Sequence, residues 1–420
     1  MRLVILGMNY APELTGIAPY TTGLAEALAS KGHHVSVLTS FPHYPRWTFT
    51  PEDARRWWQV EERHGVRVLR TKVLLPRRGS AISRIAYDSS LVVGALVQSL
   101  RVHAADVVLC ISPPIQLALG AVLLARRWHA PLALLIKDLP LDAALAVGLM
   151  RPGRALSIAR HLEHAAYKHC NRIIVISEGF RQHLLRQGVP AEQIVEIPDW
   201  VDTHAIQPRS ADPAVRQLLG AGVSDFLVLH TGNQGQKQAL AHAIRATAHV
   251  PSTVRLQFTL VGDGSERRSL EGLAQQINPT AVHFLPLQPS ELFPQILAAA
   301  DALLLNQRAN VTDSVAPSKL LSYMAAGRPV LAAVHECSEA ARVLTDANCG
   351  LLTPPEDPAA LAQGITQLAT NPTLRAELAA NGRRFVIKHY ERELVLQQYE
   401  SLLLALASSG HHSNHRNRSI

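Results

Sequence analysis

A short segment, residues 316–332, carries residue types that could bind phosphate. Ser318 and Lys319 open an apolar run, and Gly327 and Pro329 separate it from a second, shorter one. This order predicts a helix that ends near the glycine, because glycine suits the left-handed residue after a helix and proline cannot continue one. The free N–H groups at a helix N-terminus bind phosphate oxygens, and the lysine adds a full positive charge. The segment favours a diphosphate site, and the alternative is an ordinary turn with a surface lysine.

Further turns in the same half of the chain support this interpretation. Two of them are rich in glycine and follow apolar runs; they contain Gly232, Asn233, Gly235 and Lys237, then Gly262, Asp263 and Gly264. Glycines permit a tight backbone, and backbone N–H groups beside one cation form a phosphate-binding arrangement. A third strand end, His283–Phe284, is placed to hold a base through main-chain contacts. Together, and in this order, the turns indicate a nucleotide diphosphate.

The first half of the chain offers hydroxyl-binding side chains at two strand ends. Residues 7–20 follow an apolar run and include Glu13, Thr15 and Gly16, and Asp138 and Asp142 follow the run at 132–136. The first turn is not G-x-G-x-x-G, so a dinucleotide fingerprint is absent. Glycine allows a ligand to approach the backbone, and a carboxylate can orient a sugar or accept a proton. The alternatives are a plain strand-to-helix turn and a helix-capping aspartate.

Composition limits the class of protein. The chain has 420 residues, 47% of them hydrophobic, with a net charge of +8, which excludes wholesale disorder and favours anionic ligands. Four scattered cysteines and twenty histidines show no metal-ligand spacing, so we expect no metal site and no cofactor. No nucleic-acid motif is visible. The longest uncharged apolar stretch, residues 107–125, is interrupted by two prolines, and we expect a cytoplasmic protein.

One helical stretch, residues 82–102, suggests contact with a membrane. Arg77, Arg78, Arg84 and Arg101 surround its apolar residues. Such a helix could lie on the inner face of the cytoplasmic membrane, or it could face the core with solvated arginines.

Alternating short β-branched runs and longer helical patterns predict parallel sheets covered on both faces. Runs at 3–6, 35–39, 66–70, 107–111, 132–136 and 173–177 form a first set, and a second set starts at 226. A proline-rich linker near 197–213 separates them. We therefore predict an α/β protein of two facing, Rossmann-like, doubly wound domains: an acceptor-binding domain at 1–200 and a nucleotide-sugar-binding domain at 210–385. A C-terminal crossover helix at 386–408 packs back on the first domain, and a disordered tail occupies 409–420.

With these motifs, the chain resembles the retaining glycosyltransferases of family four with the GT-B fold, and more closely their exopolysaccharide or colanic-acid branch. The resemblance implies a nucleotide-diphospho-sugar donor, retention at the transferred sugar and no metal, because Lys237, Lys319 and helix N-termini stabilise the departing diphosphate. It implies catalytic roles for Asp138, Lys237 and Lys319. The implied donor-binding residues are Gly16, Gly232, Asn233, Gly235, Gly262, Asp263, Gly264, His283, Phe284, Asp313, Ser314, Pro317, Ser318 and Leu320. Those implied for the acceptor are Glu13, Thr15 and Asp142.

The chain departs from the family pattern at one pair of positions. Family four commonly carries two glutamates eight positions apart, and the matching residues here are Ser314 and Ser322. The neighbouring Asp313 is our candidate for the lost contact with the donor sugar.

Three functions are compatible with these residues. The first is transfer of a hexose or deoxyhexose to a polyprenyl-diphosphate-linked saccharide at the membrane surface. The second is a nucleotide-sugar 2-epimerase of the same architecture, which would need more acid and base groups than the sequence offers. The third is a non-catalytic, nucleotide-sugar-binding partner subunit, which the two serines would suit.

Overall fold

The computed structural model describes residues 1–14, 16–44, 46–76, 81–139, 141, 153–311 and 318–416. They form two compact units. The first comprises Met1–Pro198 and Leu396–Ile420, and the second comprises Asp199–Val395. The predicted boundary lay slightly later in the chain. Val201 belongs to the second unit because its N–H donates to the carbonyl of Tyr390 at 2.9 Å.

The first unit is built on an eight-stranded sheet in the order β3-β4-β2-β1-β5-β6-β7-β8. Its strands are β1 (Arg2–Leu6), β2 (His34–Ser40), β3 (Trp58–Arg63), β4 (Val66–Thr71), β5 (Val107–Ser112), β6 (Leu132–Ile136), β7 (Arg172–Val175) and β8 (Ile194–Glu196). Its helices are α1 (Ala18–Ser30), α2 (Ala81–Ser99), α3 (Ile115–Trp128), α4 (Arg154–Lys168) and α5 (Glu178–Arg186). All neighbouring strands are parallel except β3, which runs antiparallel to β4 at the edge. The central strands are apolar throughout because helices cover both faces.

The second unit is a six-stranded parallel sheet in the order β11-β10-β9-β12-β13-β14. Its strands are β9 (Phe226–Thr231), β10 (Leu256–Val261), β11 (Val282–Leu285), β12 (Ala302–Asn306), β13 (Val330–Ala333) and β14 (Gly350–Thr353). Its helices are α6 (Pro213–Leu218), α7 (Leu240–Ala246), α8 (Arg267–Ile277), α9 (Phe293–Ala299), α10 (Ser318–Ala325), α11 (Glu339–Ala347), α12 (Pro358–Thr370) and α13 (Pro372–Tyr390). Two apolar clusters, one on each face of this sheet, form its core. The predicted fold class, two doubly wound α/β domains, is confirmed.

The last helix, α14 (Arg392–Arg416), begins in the second unit and continues in the first. Glu400 accepts hydrogen bonds from Lys31 at 2.6 Å and lies 3.0 Å from His33, both at the end of α1. The helix runs through the first part of the predicted disordered tail, residues 409–416, because no proline interrupts it and extending a formed helix costs little. Residues 417–420 lie outside the described part. In the described structure, no helix combines the length and the apolar character that crossing a bilayer requires.

Candidate functional site

Lys319, in the first turn of α10, lies across the end of β9. Its Nζ is 3.3 Å from Nε2 of His230, the penultimate residue of that strand. A Cβ added to Gly232 would lie 3.0 Å from Cε of the lysine, closer than ordinary van der Waals contact, so the glycine leaves more room for the lysine side chain. The predicted pairing of this glycine turn with the lysine of the helix is therefore present in the folded unit.

The histidine beside Lys319 is neutral and acts as a hydrogen-bond acceptor. His230 is fully buried, and burial together with the neighbouring ammonium holds its pKa well below the ordinary range. Both ring nitrogens lie near carbonyl oxygens, Nδ1 at 3.3 Å from Leu304 and Nε2 at 3.4 Å from Asn233, so the carbonyls do not decide the tautomer. The lysine ammonium does, because it can only donate: Nε2 accepts from it, and Nδ1 carries the proton and donates to the carbonyl of Leu304.

The ammonium of Lys319 is available for an anion. Burial lowers its pKa from 10.5 to about 8, and within the described residues no carboxylate forms a salt bridge with it. A partly buried cation without a carboxylate partner favours binding of a negative ligand, because the ligand removes the electrostatic cost of its burial.

A buried tyrosine fixes α10 against β9. The hydroxyl of Tyr323, one turn after the lysine, accepts from the N–H of Thr231 at 3.1 Å and lies 3.1 Å from its hydroxyl. The lysine therefore stands on a helix whose distance from the strand end is set by hydrogen bonds. Leu320 is also fully buried, so its side chain packs in the core, and a donor contact through its backbone stays a prediction.

The two glycine turns pack directly on each other. A Cβ at Gly262, whose φ is 139°, would lie 2.0 Å from the carbonyl oxygen of Gly232. The N–H of Gly232 donates to the carbonyl of Val261 at 2.8 Å, and that of Gln234 donates to the carbonyl of Asp263 at 2.9 Å. The glycines are thus required by contact between the turns, an explanation that the sequence did not give.

Polar groups without a hydrogen-bond partner collect at the ends of β9 and β12. Both amide atoms of Gln234, Oδ1 of Asn306 and Oε1 of Gln307 are buried and have no partner among the described residues. A buried polar group without a hydrogen-bond partner costs about 1–3 kcal/mol of folding free energy. A polar ligand or a water molecule bound at this edge of the sheet would remove that cost. Sequence reasoning did not single out these three residues, nor His230 and Tyr323.

The remaining predicted donor residues occupy varied positions. Gly235 donates its N–H to the side chain of Gln238 at 3.2 Å, and the carboxylate of Asp263 accepts from the N–H of Gly264 at 2.8 Å. Asn233 and Ser318 are exposed, and Lys237 is partly buried. Asp313, Ser314 and Pro317 lie outside the described residues.

The side chains of the predicted base-binding strand are engaged in packing. His283 lies against Gly220, and the guanidinium of Arg267 stacks over the ring of Phe284 at 5.9 Å. A role for their backbone in holding a base stays a prediction.

In the first unit, Glu13 organises the loops that follow β1 and β2. It is buried, and its carboxylate accepts from the N–H groups of His43 and Tyr44, at 2.7 and 2.8 Å, and from the side chain of Asn9 at 2.6 Å. Its oxygens tie the turn after β1 to the turn after β2, and a direct contact with the acceptor stays a prediction.

The turn after β2 carries an aromatic cluster that sequence reasoning missed. The ring of His43 lies 5.6 Å from those of Trp47 and Tyr87, and its Nε2 is 2.9 Å from the tyrosine hydroxyl. The guanidinium of Arg84 covers both Trp47 and Tyr87, at 5.7 and 5.2 Å. His43 and Tyr87 are buried, so within this cluster Trp47 and Arg84 are the side chains that reach the surface.

Of the remaining predicted residues in the first unit, Gly16 lies beside this region. Gly16 has a φ of 67°, and a Cβ there would lie 3.3 Å from the Tyr44 ring. Asp138, after β6, accepts from the N–H of Leu139 at 2.9 Å and is partly buried. Thr15 and Asp142 lie outside the described residues. Among the described residues, no three metal-ligating side chains converge.

Two family descriptions match the chain, one to each unit. "Glycosyl transferase 4-like domain" matches residues 15–200, and "Glycosyl transferases group 1" matches residues 213–385. A curated relative, WcaI of Escherichia coli (strain K12), is named as a colanic acid biosynthesis glycosyl transferase. It is 29% identical over 407 residues, which cover 95% of this chain and 98% of the relative.

Solved structures of low sequence identity share the fold over nearly the whole chain. Sucrose-phosphate synthase from Thermosynechococcus elongatus has a TM-score of 0.74 and 21% identity, and the match covers 97% of this chain and 99% of that one. HepE of Anabaena, in complex with UDP, has a TM-score of 0.69 and 18% identity, with coverage of 96% and 100%. The parallel-sheet units, the two family matches and the full-length relative agree, and we conclude that the chain belongs to the family-four glycosyltransferases with the GT-B fold, in the branch that includes WcaI.

Proposed function

We propose that this glycosyltransferase moves a hexose or deoxyhexose from a nucleotide-diphospho-sugar to a saccharide carried on a polyprenyl diphosphate, with retention, in exopolysaccharide synthesis. The observation that carries the proposal is the cation of Lys319, held at the end of β9 by neutral His230 without a carboxylate partner among the described residues. The name of the full-length relative supports the exopolysaccharide role.

The reaction breaks the bond between the anomeric carbon and the diphosphate oxygen, and the electron pair leaves with the diphosphate. Negative charge therefore grows on the phosphate oxygens, where Lys319 and Lys237 would stabilise it without a metal ion. The acceptor hydroxyl attacks the same face of the sugar and passes its proton to the departing phosphate oxygen, so the anomeric configuration is retained and no enzyme nucleophile is needed. Asp138 remains the candidate for orienting the sugar or the acceptor.

The proposed location is the cytoplasmic side of the inner membrane, where a lipid-linked acceptor would be met. The proposed partners are the nucleotide sugar and that lipid, with no role for nucleic acid. The relative HepE was solved with UDP-glucose, which supports a nucleotide sugar as donor and leaves the base to be measured for this chain.

Calorimetric titration with UDP, GDP and ADP, each with and without Mg²⁺, tests the donor site. We expect one nucleotide to bind in the micromolar range, with no change on adding magnesium. Lys319→Met should weaken this binding strongly, and Lys388→Met, at an exposed lysine of α13 in the same unit, serves as the matched control. Equal binding by the wild type and Lys319→Met would show that the site is assigned wrongly.

Incubation of the matching nucleotide sugar with a polyprenyl-diphosphate-linked saccharide tests the reaction, and NMR of the product gives the anomeric configuration. An inverted product would refute retention. Conversion of the donor to its epimer without an acceptor would identify an epimerase. Tight donor binding with neither transfer nor slow donor hydrolysis would identify a non-catalytic subunit.

A further inference from the structure

Arg267, the first residue of α8, bridges the ends of two neighbouring strands. Its Nη1 donates to the carbonyl of Gly262, directly after β10, at 2.6 Å and to that of Leu285, the last residue of β11, at 3.2 Å. The first carbonyl belongs to the glycine turn that packs on Gly232, and the second belongs to the strand predicted to hold the base. One nitrogen atom therefore ties together two parts of the candidate donor site.

The guanidinium of Arg267 is held on its other sides as well. Its Nε donates to the carboxylate of Glu271, one turn later in α8, at 2.8 Å. The same group lies over the ring of Phe284, with 5.9 Å between its central carbon and the ring centre. A planar guanidinium can make all of these contacts at once, whereas the single ammonium of a lysine cannot. The side chain therefore has one defined position between the two strand ends.

The strand that Arg267 supports has a free side. In the described part of the chain, β11 is the edge strand of its sheet and pairs with β10 alone. The carbonyl of Leu285 accepts from the N–H of Gly262 at 3.0 Å, so the backbone groups of Leu285 face β10. Backbone groups alternate in direction along a strand, so the N–H and the carbonyl of Phe284 point to the free edge. A donor beside an acceptor complements the hydrogen-bonding edge of a nucleobase.

The two strand ends depend on Arg267 to different degrees. The glycine turn has further bonds, since the N–H of Gln234 donates to the carbonyl of Asp263 at 2.9 Å. In contrast, β11 leads into an exposed turn that contains Pro286 and Pro289, and proline has no backbone N–H to donate. Loss of the guanidinium should therefore displace the end of β11 more than the glycine turn.

We propose that Arg267 is a positioning residue for the nucleotide base. It fixes the free edge of β11 relative to the glycine turn, so that one ligand meets the base edge and the diphosphate site together without a cost of ordering the loop. Discrimination among nucleotides depends on this guanidinium, whereas binding of a bare diphosphate does not. The inference deepens the proposed function and rests on it, since it requires a nucleotide at this edge of the sheet.

Calorimetric titration with two ligands separates the base from the diphosphate. The ligands are the nucleoside diphosphate that the wild type prefers and inorganic diphosphate. Arg267→Met should raise the dissociation constant of the nucleotide about tenfold, the equivalent of one hydrogen bond to the base, and leave that of inorganic diphosphate unchanged. The preference over the other two nucleotides should fall by the same factor. A purely structural role would not change these ratios, because every constant is measured on the same folded variant.

Two further variants serve as controls. Arg268→Met makes the same chemical change at the exposed neighbouring residue of α8 and should alter neither dissociation constant. Glu271→Gln removes the charge beside Nε but leaves both carbonyl contacts of Arg267 possible, so nucleotide binding should weaken at most about twofold. A loss in Glu271→Gln as large as that in Arg267→Met would assign the effect to the ion pair within α8 and contradict the carbonyl bridge.

Equal losses of nucleotide and inorganic diphosphate binding in Arg267→Met would overturn the proposal, and so would an unchanged preference among the nucleotides. Failure of the wild type to bind any nucleotide would refute the donor site and this inference with it. Base selectivity that depends on Arg267, in a protein that transfers no sugar to a lipid-linked saccharide, would refute the proposed function alone.

Discussion

Raising the pH should weaken nucleotide binding through Lys319. Burial sets the pKa of the free ammonium at about 8, while the bound diphosphate holds the lysine in its charged form. Affinity is therefore full below that pH, and at about pH 9 the dissociation constant should be about tenfold larger, since the lysine must first take up a proton. The groups that face it stay neutral in this range, because burial lowers the pKa of His230 and raises that of Tyr323. The nucleotide's last phosphate proton leaves near pH 6, well below the window.

The assay is calorimetric titration of the best nucleotide from about pH 7 to about pH 9.5, which spans the expected pKa. Lys319→Met should raise the dissociation constant of the nucleotide about 10- to 100-fold at neutral pH, because binding loses the free energy of one hydrogen bond to a charged group. The variant should also show no dependence of the dissociation constant on pH in this range. A flat profile for the wild type, or the same slope in the variant, would refute the reasoning.

The same variant should stabilise the ligand-free protein. The folded pKa of about 8 lies below the ordinary 10.5, so charging the buried lysine opposes folding by roughly 3 kcal/mol at neutral pH. This cost is complete below about pH 8 and vanishes above about pH 10.5. Urea unfolding of wild type and Lys319→Met at neutral pH measures it. Equal or lower stability of the variant would show that the ammonium is not desolvated.

Three further outcomes follow from the described contacts. Tyr323→Phe should cost about 1–3 kcal/mol of unfolding free energy, measured in urea, because the N–H of Thr231 loses its acceptor; no loss would mean that water replaces the hydroxyl. Gly262→Ala should abolish nucleotide binding and lower the melting temperature, since its Cβ overlaps the carbonyl of Gly232; wild-type binding would contradict the packing of the two turns. Glu13→Gln should raise the KM for the acceptor while leaving the dissociation constant of the nucleotide unchanged, because the carboxylate holds the turn after β2. Weaker nucleotide binding with an unchanged KM for the acceptor would show that Glu13 does not support the acceptor site.

Most of the fold follows from local patterns, and the exceptions have physical causes. Apolar runs such as that of β5 identify buried parallel strands. The strand β3 escaped prediction because it is an edge strand in which charged residues interrupt the apolar pattern. The helix after β9 begins only at Leu240, because Ala239 adopts a left-handed φ of 45° and its carbonyl accepts from Asn306 at 3.0 Å. That bond joins residues 67 positions apart, which no local pattern reveals.

The candidate site was predictable where one segment carries the chemistry. A lysine that opens an apolar helix, and a strand that ends in glycines, are visible in the sequence. His230 was not, because a lone histidine within an apolar strand has the pattern of a core residue, and its partner is 89 positions away. The structural role of Glu13 was also hidden, because a carboxylate near a glycine suggests a ligand contact and only the fold shows that it accepts from the backbone of residues 43 and 44.

The packed glycine turns limit how this protein could be engineered. An exchange of residues 232–238 alone for those of another transferase would set a foreign backbone against Gly262, where 2.0 Å separates an added Cβ from the facing carbonyl. It would also disturb the hydrogen bond between Gln234 and the carbonyl of Asp263. The two turns form one exchangeable module, and a chimera intended to accept a different donor should transplant residues 232–238 and 261–266 together.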